Sequence, residues 1–182
     1  MTDRYDDIVK KVLVSEEEIA EITKRLGKII STDYAGKELV LVGMLKGAMP
    51  FMMDLAKNIT IPLEMDFIQT SSYHGGTSSS TAVMFKKDID TNVLDKHVLL
   101  VDDVVDTAKT ITKVLEIFKG RGAASIELCC LLDKPEGRVV PYEAKYVGKV
   151  IPNEFVIGYG LDYNELYRNL PYVGVVKDEV YK

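Results

Sequence analysis

The sequence has too few cysteines for a disulfide framework or a cysteine-based metal site. Only two occur in 182 residues, and they are adjacent, at Cys129 and Cys130. Both lie in an apolar, strand-like run, where successive side chains point to opposite faces, so we expect no disulfide between them. No CxxC pair or cysteine–histidine spacing typical of a metal site occurs. This cysteine usage favours a reducing compartment.

The sequence also lacks a basic excess and a long apolar segment. Its 23 Lys and Arg against 28 Asp and Glu give a net charge of −5, which argues against a dedicated binder of nucleic acid or of membrane surfaces. No apolar run approaches the ~20 residues of a membrane span. Residues 1–11 are charged and lack the apolar core of a signal peptide. We therefore predict a cytoplasmic protein that binds neither nucleic acid nor membranes.

What the sequence does contain is the composition of one folded domain, residues 1–182. Apolar residues make up 47% and charged residues 28%, which is ordinary for a folded protein. Strand-like and helix-like segments alternate, which predicts an α/β fold with a mostly parallel central sheet flanked by helices. The predicted strands are residues 38–45, 62–68, 97–101, 125–132, 155–159 and 172–176. The predicted helices begin after Ser15 and cover 48–58 and 107–119, with a helical turn at 164–169.

Residues 69–81 form the most unusual segment of the chain. They include five Ser, three Thr and two Gly, with no acidic residue, Lys or Arg. Such a segment cannot bury enough apolar area to hold itself rigid. An ordinary loop between strands and a lid over an active site explain it equally well.

Polar side chains cluster where a predicted buried strand turns into a helix, in VLLVDDVVDTAKTI at residues 98–111. Ligands of open α/β sheets bind at the carboxyl ends of the strands. The free N–H groups and the dipole of the following helix favour an anion such as phosphate. Thr107 and Thr110 add hydroxyl donors, and Lys109 adds positive charge. This turn is therefore a candidate phosphate site.

Two acidic residues, Asp102 and Asp103, precede that candidate phosphate site. Their charge needs an offset, which ligand hydroxyls or a hard cation such as Mg²⁺ would supply. A ribose 5-phosphate with a metal-bound pyrophosphate provides all of these groups together. A helix cap beside solvated acids is the simpler explanation, but three Asp and two Thr within nine residues favour a binding site. Neither the GxxxxGK[ST] loop nor the GxGxxG fingerprint occurs in the sequence.

The segment VLLVDDVVDTAKT resembles the phosphoribosyl-pyrophosphate (PRPP) motif of type I phosphoribosyltransferases. Further matches, in chain order, narrow the resemblance to the hypoxanthine(-guanine) phosphoribosyltransferases: Leu45-Lys46-Gly47, Ser72-Tyr73, Leu132-Asp133-Lys134 and FVIGYGLDYNELYR at 155–168. The resemblance covers nearly the whole chain from about Ser15. It implies that family's fold, with a small cap formed by the C-terminal part. It also implies purine salvage, in which PRPP and hypoxanthine or guanine give IMP or GMP and pyrophosphate.

The resemblance further implies a role for each matching residue. Those for the ribose and the 5-phosphate are Asp102, Asp103, Asp106, Thr107, Ala108, Lys109 and Thr110. Those for pyrophosphate are Lys46, Gly47 and Arg168, and those for the purine are Lys134, Phe155, Val156 and Asp162. Ser72 and Tyr73 would lie in a lid loop at about 69–81. Asp106 would be the general base near the purine N7, and the Mg²⁺ ligands would be Asp102, Asp103 and Asp162.

The resemblance implies two further properties and leaves one open. A homodimer or homotetramer is expected, because family members form both. Ala108 stands where the family usually has Gly. If this position needs a positive φ, the loop is strained, and Ala108→Gly would tighten PRPP binding. Whether the Leu45–Lys46 peptide is cis stays open.

Three other interpretations remain at this point. A signalling receiver domain could pair Asp102 and Asp103 with Asp133, but receivers carry their acidic pair near the N-terminus. A regulatory RNA-binding member of the superfamily is disfavoured by the acidic composition. A relative that acts on xanthine or a pyrimidine is the third. Lys134 and Phe155-Val156 favour 6-oxopurines over pyrimidines, and whether xanthine is used stays open. These residues do not rank hypoxanthine against guanine.

Overall fold

The centre of the protein is a mostly parallel sheet. A computed structural model describes residues 7–72 and 83–181, of which 71, 72, 83 and 84 are described by their backbone alone. Within these segments the strands are β1 (Val9–Val14), β2 (Leu39–Met44), β3 (Leu63–Ser72), β4 (Val83–Lys87), β5 (His97–Val105), β6 (Ser125–Asp133), β7 (Tyr146–Val150), β8 (Val156–Ile157) and β9 (Val173–Val176). The helices are α1 (Glu16–Asp33), α2 (Met49–Lys57), α3 (Lys109–Gly120) and α4 (Asp178–Tyr181).

Six strands form the central sheet in the order β4-β3-β2-β5-β6-β7. All neighbours are parallel except β3 and β4, which are antiparallel. The inner strands β2 and β5 read LVLVGM and HVLLVDDVV, and continuous apolar runs of this kind suit strands that are buried on both faces. The predicted α/β class is therefore confirmed.

Helices cover both faces of this sheet. The core on one face joins α1 and α2 to alternate residues of β2, β5 and β6, and the core on the other face joins α3 to the residues between them. Cys129 belongs to the first core and Cys130 to the second, and both are free thiols. Helix α1 starts where the sequence predicts, because the Ser15 hydroxyl accepts a hydrogen bond of 3.2 Å from the Glu18 N–H.

A second, smaller sheet forms the cap. Its strands follow the order β1-β9-β8 and are all antiparallel, with Val9 opposite Val176 and Val14 opposite Val173. The resemblance places the cap in the C-terminal part of the chain alone. The structure shows that residues 9–14, from the N-terminal part, contribute a strand to it.

The structure differs from the sequence prediction at three further points. The helical turn predicted at 164–169 is wrong, because Asn164, Glu165 and Tyr167 have φ values of 51°, 65° and 71° and the segment forms successive turns. Strand β5 continues to Val105, so Asp102 and Asp103 lie within it. Helix α3 begins at residue 109 rather than 107.

One prediction concerns a part of the chain where the description stops. Ser72 is the last residue of β3, whereas Tyr73 and the rest of the predicted lid loop up to residue 81 lie outside the described residues.

Across the described residues no helix combines the length and the apolar character that a membrane crossing requires.

Candidate active site

The carboxyl ends of β2, β5 and β6, three neighbours in the sheet, bring most of the predicted site together. Gly47 follows β2 and lies directly against the Asp103 carboxylate on β5. A Cβ atom at position 47 would come within 3.0 Å of Asp103 Oδ2, so any side chain there would displace that carboxylate. Lys134 follows β6, and its N–H donates to the Val105 carbonyl at 2.9 Å. The sheet order thus places pyrophosphate, ribose and purine candidates at one edge, as ligand sites in such sheets require.

Asp102 and Asp103 form a crowded acidic pair. The Asp103 N–H donates to Asp102 Oδ1 at 3.1 Å, and the Val104 N–H donates to Asp103 Oδ1 at 2.8 Å. Burial raises the pKa of Asp102 well above its usual range, and the neighbouring charge of Asp103 raises it further. Burial raises the pKa of Asp103 as well, against the opposing effects of the Val104 N–H and the Arg168 charge.

The acidic pair fits a magnesium ion that is shared with a substrate. Its carboxylate oxygens are hard ligands, which Mg²⁺ prefers. In the described part of the chain, however, no three His, Cys, Asp or Glu side chains come together as a metal cluster. Mg²⁺ commonly takes one or two carboxylates and completes its shell with water and substrate oxygens. The residues present therefore suit Mg²⁺ that arrives with a phosphorylated ligand.

The predicted phosphate loop, residues 106–110, leads into the N-terminus of α3. Ala108 has φ 62° and ψ 3°, which is the left-handed region, and no side chain caps the helix. The first turn of α3 contains no acidic residue. A helix N-terminus without a capping side chain keeps N–H groups and a partial positive charge for an anion. The positive φ that the sequence analysis raised for Ala108 is therefore present.

Asp106 and Lys134 are brought close to each other. Lys134 is 7% exposed, and its charge interacts with the carboxylates of Asp106 and Asp103. Burial lowers the pKa of Lys134, and the two carboxylates oppose that effect. The Asp106 carboxylate also lies against Gly137, where a Cβ atom would come within 3.0 Å of Asp106 Oδ1. The predicted base, Asp106, and a buried cation, Lys134, are thus neighbours at this edge of the sheet.

The predicted pyrophosphate cations, Lys46 and Arg168, meet at one acidic side chain. Lys46 Nζ lies 2.7 Å and Arg168 Nη2 lies 3.3 Å from Glu165 Oε2. The hydrogen bond from Lys46 lowers the pKa of Glu165, and the one from Arg168 adds to the effect. Arg168 also pairs with Asp162 Oδ1 at 2.8 Å. Sequence reasoning missed Glu165, whose only local signal is its position three residues before Arg168.

The backbone around Lys46 is unusual. The Leu45–Lys46 peptide bond is cis, which settles the question that the sequence left open. Gly160, with φ 100°, packs so closely on the Gly47 carbonyl that no side chain fits between them. The cap therefore touches the central sheet at the candidate pyrophosphate site.

The predicted purine residues Phe155 and Val156 lie in the cap. Val156 is buried at the start of β8, and Phe155 precedes it. The Phe155 ring stacks on Tyr181 with centroids 5.0 Å apart and planes at 26°. Tyr163 meets the same ring edge-on at 5.8 Å. Sequence reasoning missed Tyr181, because it lies 26 residues beyond Phe155 and no local pattern links the two.

Comparison with known proteins assigns the family. A phosphoribosyl transferase domain matches residues 9–164. A hypoxanthine-guanine phosphoribosyltransferase of Streptococcus pneumoniae strain R6 is 56% identical over 173 residues, which are 95% of this chain and 96% of the relative. The crystal structure of a hypoxanthine phosphoribosyltransferase from Staphylococcus aureus is 49% identical, with a TM-score of 0.95 over 100% of this chain and 99% of that one. The chain belongs to the hypoxanthine-guanine phosphoribosyltransferase family.

Membership of this family confirms the resemblance stated from the sequence and makes the protein a phosphoribosyltransferase. It also excludes the receiver-domain interpretation. A third similar protein is the Trypanosoma cruzi hypoxanthine phosphoribosyl transferase, 41% identical with a TM-score of 0.91 over 98% of this chain and 96% of that one. For that enzyme, a role of the C-terminal region in oligomeric state and enzymatic activity is described.

One site residue of this phosphoribosyltransferase has no sequence signal that we recognised. Arg138 directly follows the short 3₁₀ turn Pro135–Gly137, which comes after β6. Its Nη1 donates to the carbonyls of Val105 at 2.7 Å and Asp106 at 2.6 Å. Its Nη2 pairs with the Asp133 carboxylate. An arginine four residues after the purine candidate Lys134 is the only hint that the sequence offers.

Proposed function

We propose that this enzyme transfers the 5-phosphoribosyl group of PRPP to hypoxanthine or guanine, which gives IMP or GMP and pyrophosphate. The observation that carries the proposal is the convergence of Asp106, Lys134 and the N-terminus of α3 at one edge of the sheet. A proton acceptor, a cation for an oxo group and a phosphate site are what this reaction needs side by side. The names of the relatives support the same substrates.

The 5-phosphate would bind at residues 106–110. The N–H groups of the first turn of α3 and the hydroxyls of Thr107 and Thr110 would donate to its oxygens. Lys109 would add charge from the exposed side of the loop. This contact would fix the ribose, so that its C1′ atom would face the purine beside Asp106. Holding both reactants in place accounts for much of the rate that such enzymes achieve.

Asp106 would act as the general base. As a purine nitrogen attacks C1′, its electron pair forms the new bond, and the bond from C1′ to pyrophosphate breaks with its electrons leaving on pyrophosphate. The proton at N7 passes to an Asp106 oxygen, a transfer that contributes roughly 10²–10⁴-fold. The ribose passes through a cationic, oxocarbenium-like state. Lys134 would bind the 6-oxo group and stabilise the negative charge that develops on the purine.

Lys46 and Arg168 would stabilise the departing pyrophosphate. Both cations are held by Glu165 in the structure, so pyrophosphate oxygens would replace that carboxylate. The Lys46 and Glu165 side chains are more than half exposed, and an exposed ion pair is weak enough to be displaced. Gly47 would let the peptide backbone approach the ligand next to Asp103.

Asp102 and Asp103 would hold Mg²⁺ together with the ribose hydroxyls. The ion, when bound, offsets the charge of the pyrophosphate leaving group. We also propose that Asp162 lies near the 2-position of the purine and binds a second Mg²⁺. Its carboxylate pairs with Arg168, so this role requires the pair to open.

The surroundings of the reaction complete the proposal. We propose one domain over residues 1–182, a cytoplasmic location and a homodimer or homotetramer. The work on the C-terminal region and oligomeric state of the Trypanosoma cruzi relative supports self-association. Size-exclusion chromatography with light scattering would test it, and a 20.3 kDa monomer at assay concentration would contradict it.

An absorbance assay with a panel of bases tests the proposed function. Hypoxanthine, guanine, xanthine, adenine and uracil are each supplied with PRPP and Mg²⁺, and each is repeated with EDTA. We expect turnover of hypoxanthine, guanine or both, loss of turnover with EDTA, and none with adenine or uracil. Turnover of adenine alone, or of no purine, would contradict the assignment. Xanthine turnover at the rate of guanine would extend the substrate class.

A further inference from the structure

The short turn after β6 touches Asp106 from two sides. Arg138 donates from one guanidinium nitrogen to the carbonyls of Val105 and Asp106, at 2.7 and 2.6 Å. Gly137 faces the other end of the same residue, because its Cα lies against the Asp106 carboxylate. Backbone and side chain of Asp106 are thus both in contact with adjacent residues of one turn.

Arg138 is held firmly enough to act as a fixed reference point. Its side chain and that of its ion-pair partner Asp133 are each only 14% exposed. Two more carbonyls accept from the same guanidinium, Lys134 at 3.3 Å and Tyr142 at 3.2 Å. The planar fork of arginine holds several acceptors at once in a geometry that a lysine ammonium cannot reproduce. Since Asp133 balances the charge, the guanidinium fixes these carbonyls without adding net charge to the site.

Gly137 is a glycine for reasons of space. Its backbone lies outside the left-handed region, so conformation does not demand glycine. A Cβ atom would instead overlap the Asp106 carboxylate, and the next atom nearby is Asn153 Oδ1 at 3.8 Å. The overlapping atom is the end of a side chain that can rotate. A methyl group at position 137 would therefore move the carboxylate by about 1 Å while the fold stays unchanged.

The same turn also positions Lys134, the cation proposed to bind the purine. The Lys134 N–H donates to the Val105 carbonyl at 2.9 Å, and its own carbonyl accepts from Arg138. Asp106 and Lys134 are the two groups proposed to contact one purine ring. Because the Arg138 guanidinium binds the carbonyls of both, it fixes their backbones relative to each other. Reactive groups need this support, because a misplacement of about 1 Å costs roughly 10²-fold in rate.

We propose that Gly137 and Arg138 are positioning residues for Asp106, with Gly137 leaving room for its carboxylate and Arg138 fixing its backbone against Lys134. The inference rests on the proposed function, in which Asp106 takes the purine proton.

The Gly137→Ala variant tests the proposal with the least disturbance. We expect its kcat with hypoxanthine or guanine to fall by about 10- to 100-fold, with the PRPP KM changed less than about twofold. Gly120→Ala is the matched control, because a Cβ atom there meets nothing within 4 Å. In an Asp106→Asn background, Gly137→Ala should have no further effect on kcat, since it acts through that carboxylate.

Arg138 is tested by chemical rescue. Arg138→Ala should lose kcat, and millimolar guanidinium chloride should restore at least part of it, whereas Arg138→Lys should stay impaired. Arg121→Ala, which removes a bidentate partner of Asp88 at the far end of α3, should keep full activity. If Arg138→Ala does not fold, Gly137→Ala decides alone.

The outcomes separate this inference from the proposed function. Full kcat in Gly137→Ala, or an equal loss with and without the Asp106 carboxylate, overturns the positioning role while the proposed function stands. A wild-type enzyme that is inactive with every 6-oxopurine overturns both.

Discussion

Ala108→Gly offers a quantitative test of the strain in the phosphate loop. Ala108 has φ 62°, and an L-residue in that region costs roughly 1–2 kcal/mol. Glycine removes this cost. It also removes the methyl group of a residue that is only 4% exposed, worth about 0.8 kcal/mol, and it adds about 0.4–1 kcal/mol of unfolded-state entropy. The opposing effects leave Ala108→Gly within about 1 kcal/mol of wild type.

A matched substitution isolates the strain from the other two effects. Ala48 is also buried, but its φ is −70°. Ala48→Gly therefore loses the buried methyl group and gains unfolded-state entropy, as Ala108→Gly does, but it relieves no backbone strain. We expect Ala48→Gly to lower the free energy of unfolding by roughly 1–2 kcal/mol. Ala108→Gly should be about 1–2 kcal/mol more stable than Ala48→Gly, a difference of about 2–8 °C in Tm for a chain of this length.

Urea unfolding of the two variants, together with their PRPP KM values, is the assay. The left-handed φ is present without PRPP, so most of the relief is common to the free and bound states. We therefore expect the PRPP KM of Ala108→Gly to fall, but by less than the roughly fivefold that 1 kcal/mol would give. Equal destabilisation of both variants would refute the strain at Ala108, and an unchanged or raised PRPP KM would refute its bearing on binding.

The remaining predictions concern the reacting groups. Asp106→Asn should lower kcat by about 10²–10⁴-fold with little change in KM, and an unchanged kcat would remove the base assignment. Lys134→Gln should raise the hypoxanthine KM by about 10- to 100-fold, as expected for a lost charged hydrogen bond, while the PRPP KM stays constant. The native pKa of Asp102 lies above its unfolded value of about 4, so wild-type stability without ligand should fall as pH rises from about 4 through the raised pKa. The slope is at most about 1.4 kcal/mol per pH unit, and urea unfolding of Asp102→Asn at several pH values should lack that contribution. Tyr181→Ala removes the ring stacked on Phe155 and should raise the purine KM by roughly 2- to 10-fold, whereas Tyr181→Phe should leave it unchanged; equal KM values in both variants would argue against the stacking role.

The sequence predicted most strands and missed three outer ones, β1, β4 and β7, for a physical reason. Strands β2, β5 and β6 are buried on both faces and read as continuous apolar runs. The missed strands β1, β4 and β7 read VKKVLV, VMFKK and YVGKV, and each lies at the edge of its sheet. Edge strands carry charged side chains toward solvent. Their existence depends on a partner strand that local sequence does not reveal.

The site residues that could be predicted from the sequence are likewise those that are close together in the chain. Residues 102–110 could be recognised as a binding site from the sequence, because the strand, the acidic residues, the hydroxyls and the helix follow one another directly. The contacts of Glu165 with Lys46 span 119 residues, and those of Arg138 with the Asp106 carbonyl span 32. No single-sequence pattern encodes such distances, so these partners appear only once the chain is folded. The wrong helical turn at 164–169 is a different case, because the chain there forms a tight local turn with a bridge between Tyr163 and Leu166 and positive φ values at Asn164, Glu165 and Tyr167.

Two unfavourable features coincide at the ligand edge of the sheet. The acidic pair on β5 is held where burial disfavours its charge, and Ala108 is held at a positive φ. Neither helps the ligand-free fold, and both suit a ligand that brings a cation and a phosphate. The sheet can hold them because the three strands that end at the site, β2, β5 and β6, pack apolar side chains into the cores on both faces. Because the core beneath the site is stable, the charge of Asp102 and Asp103 can stay uncompensated in the folded protein until a ligand brings a cation.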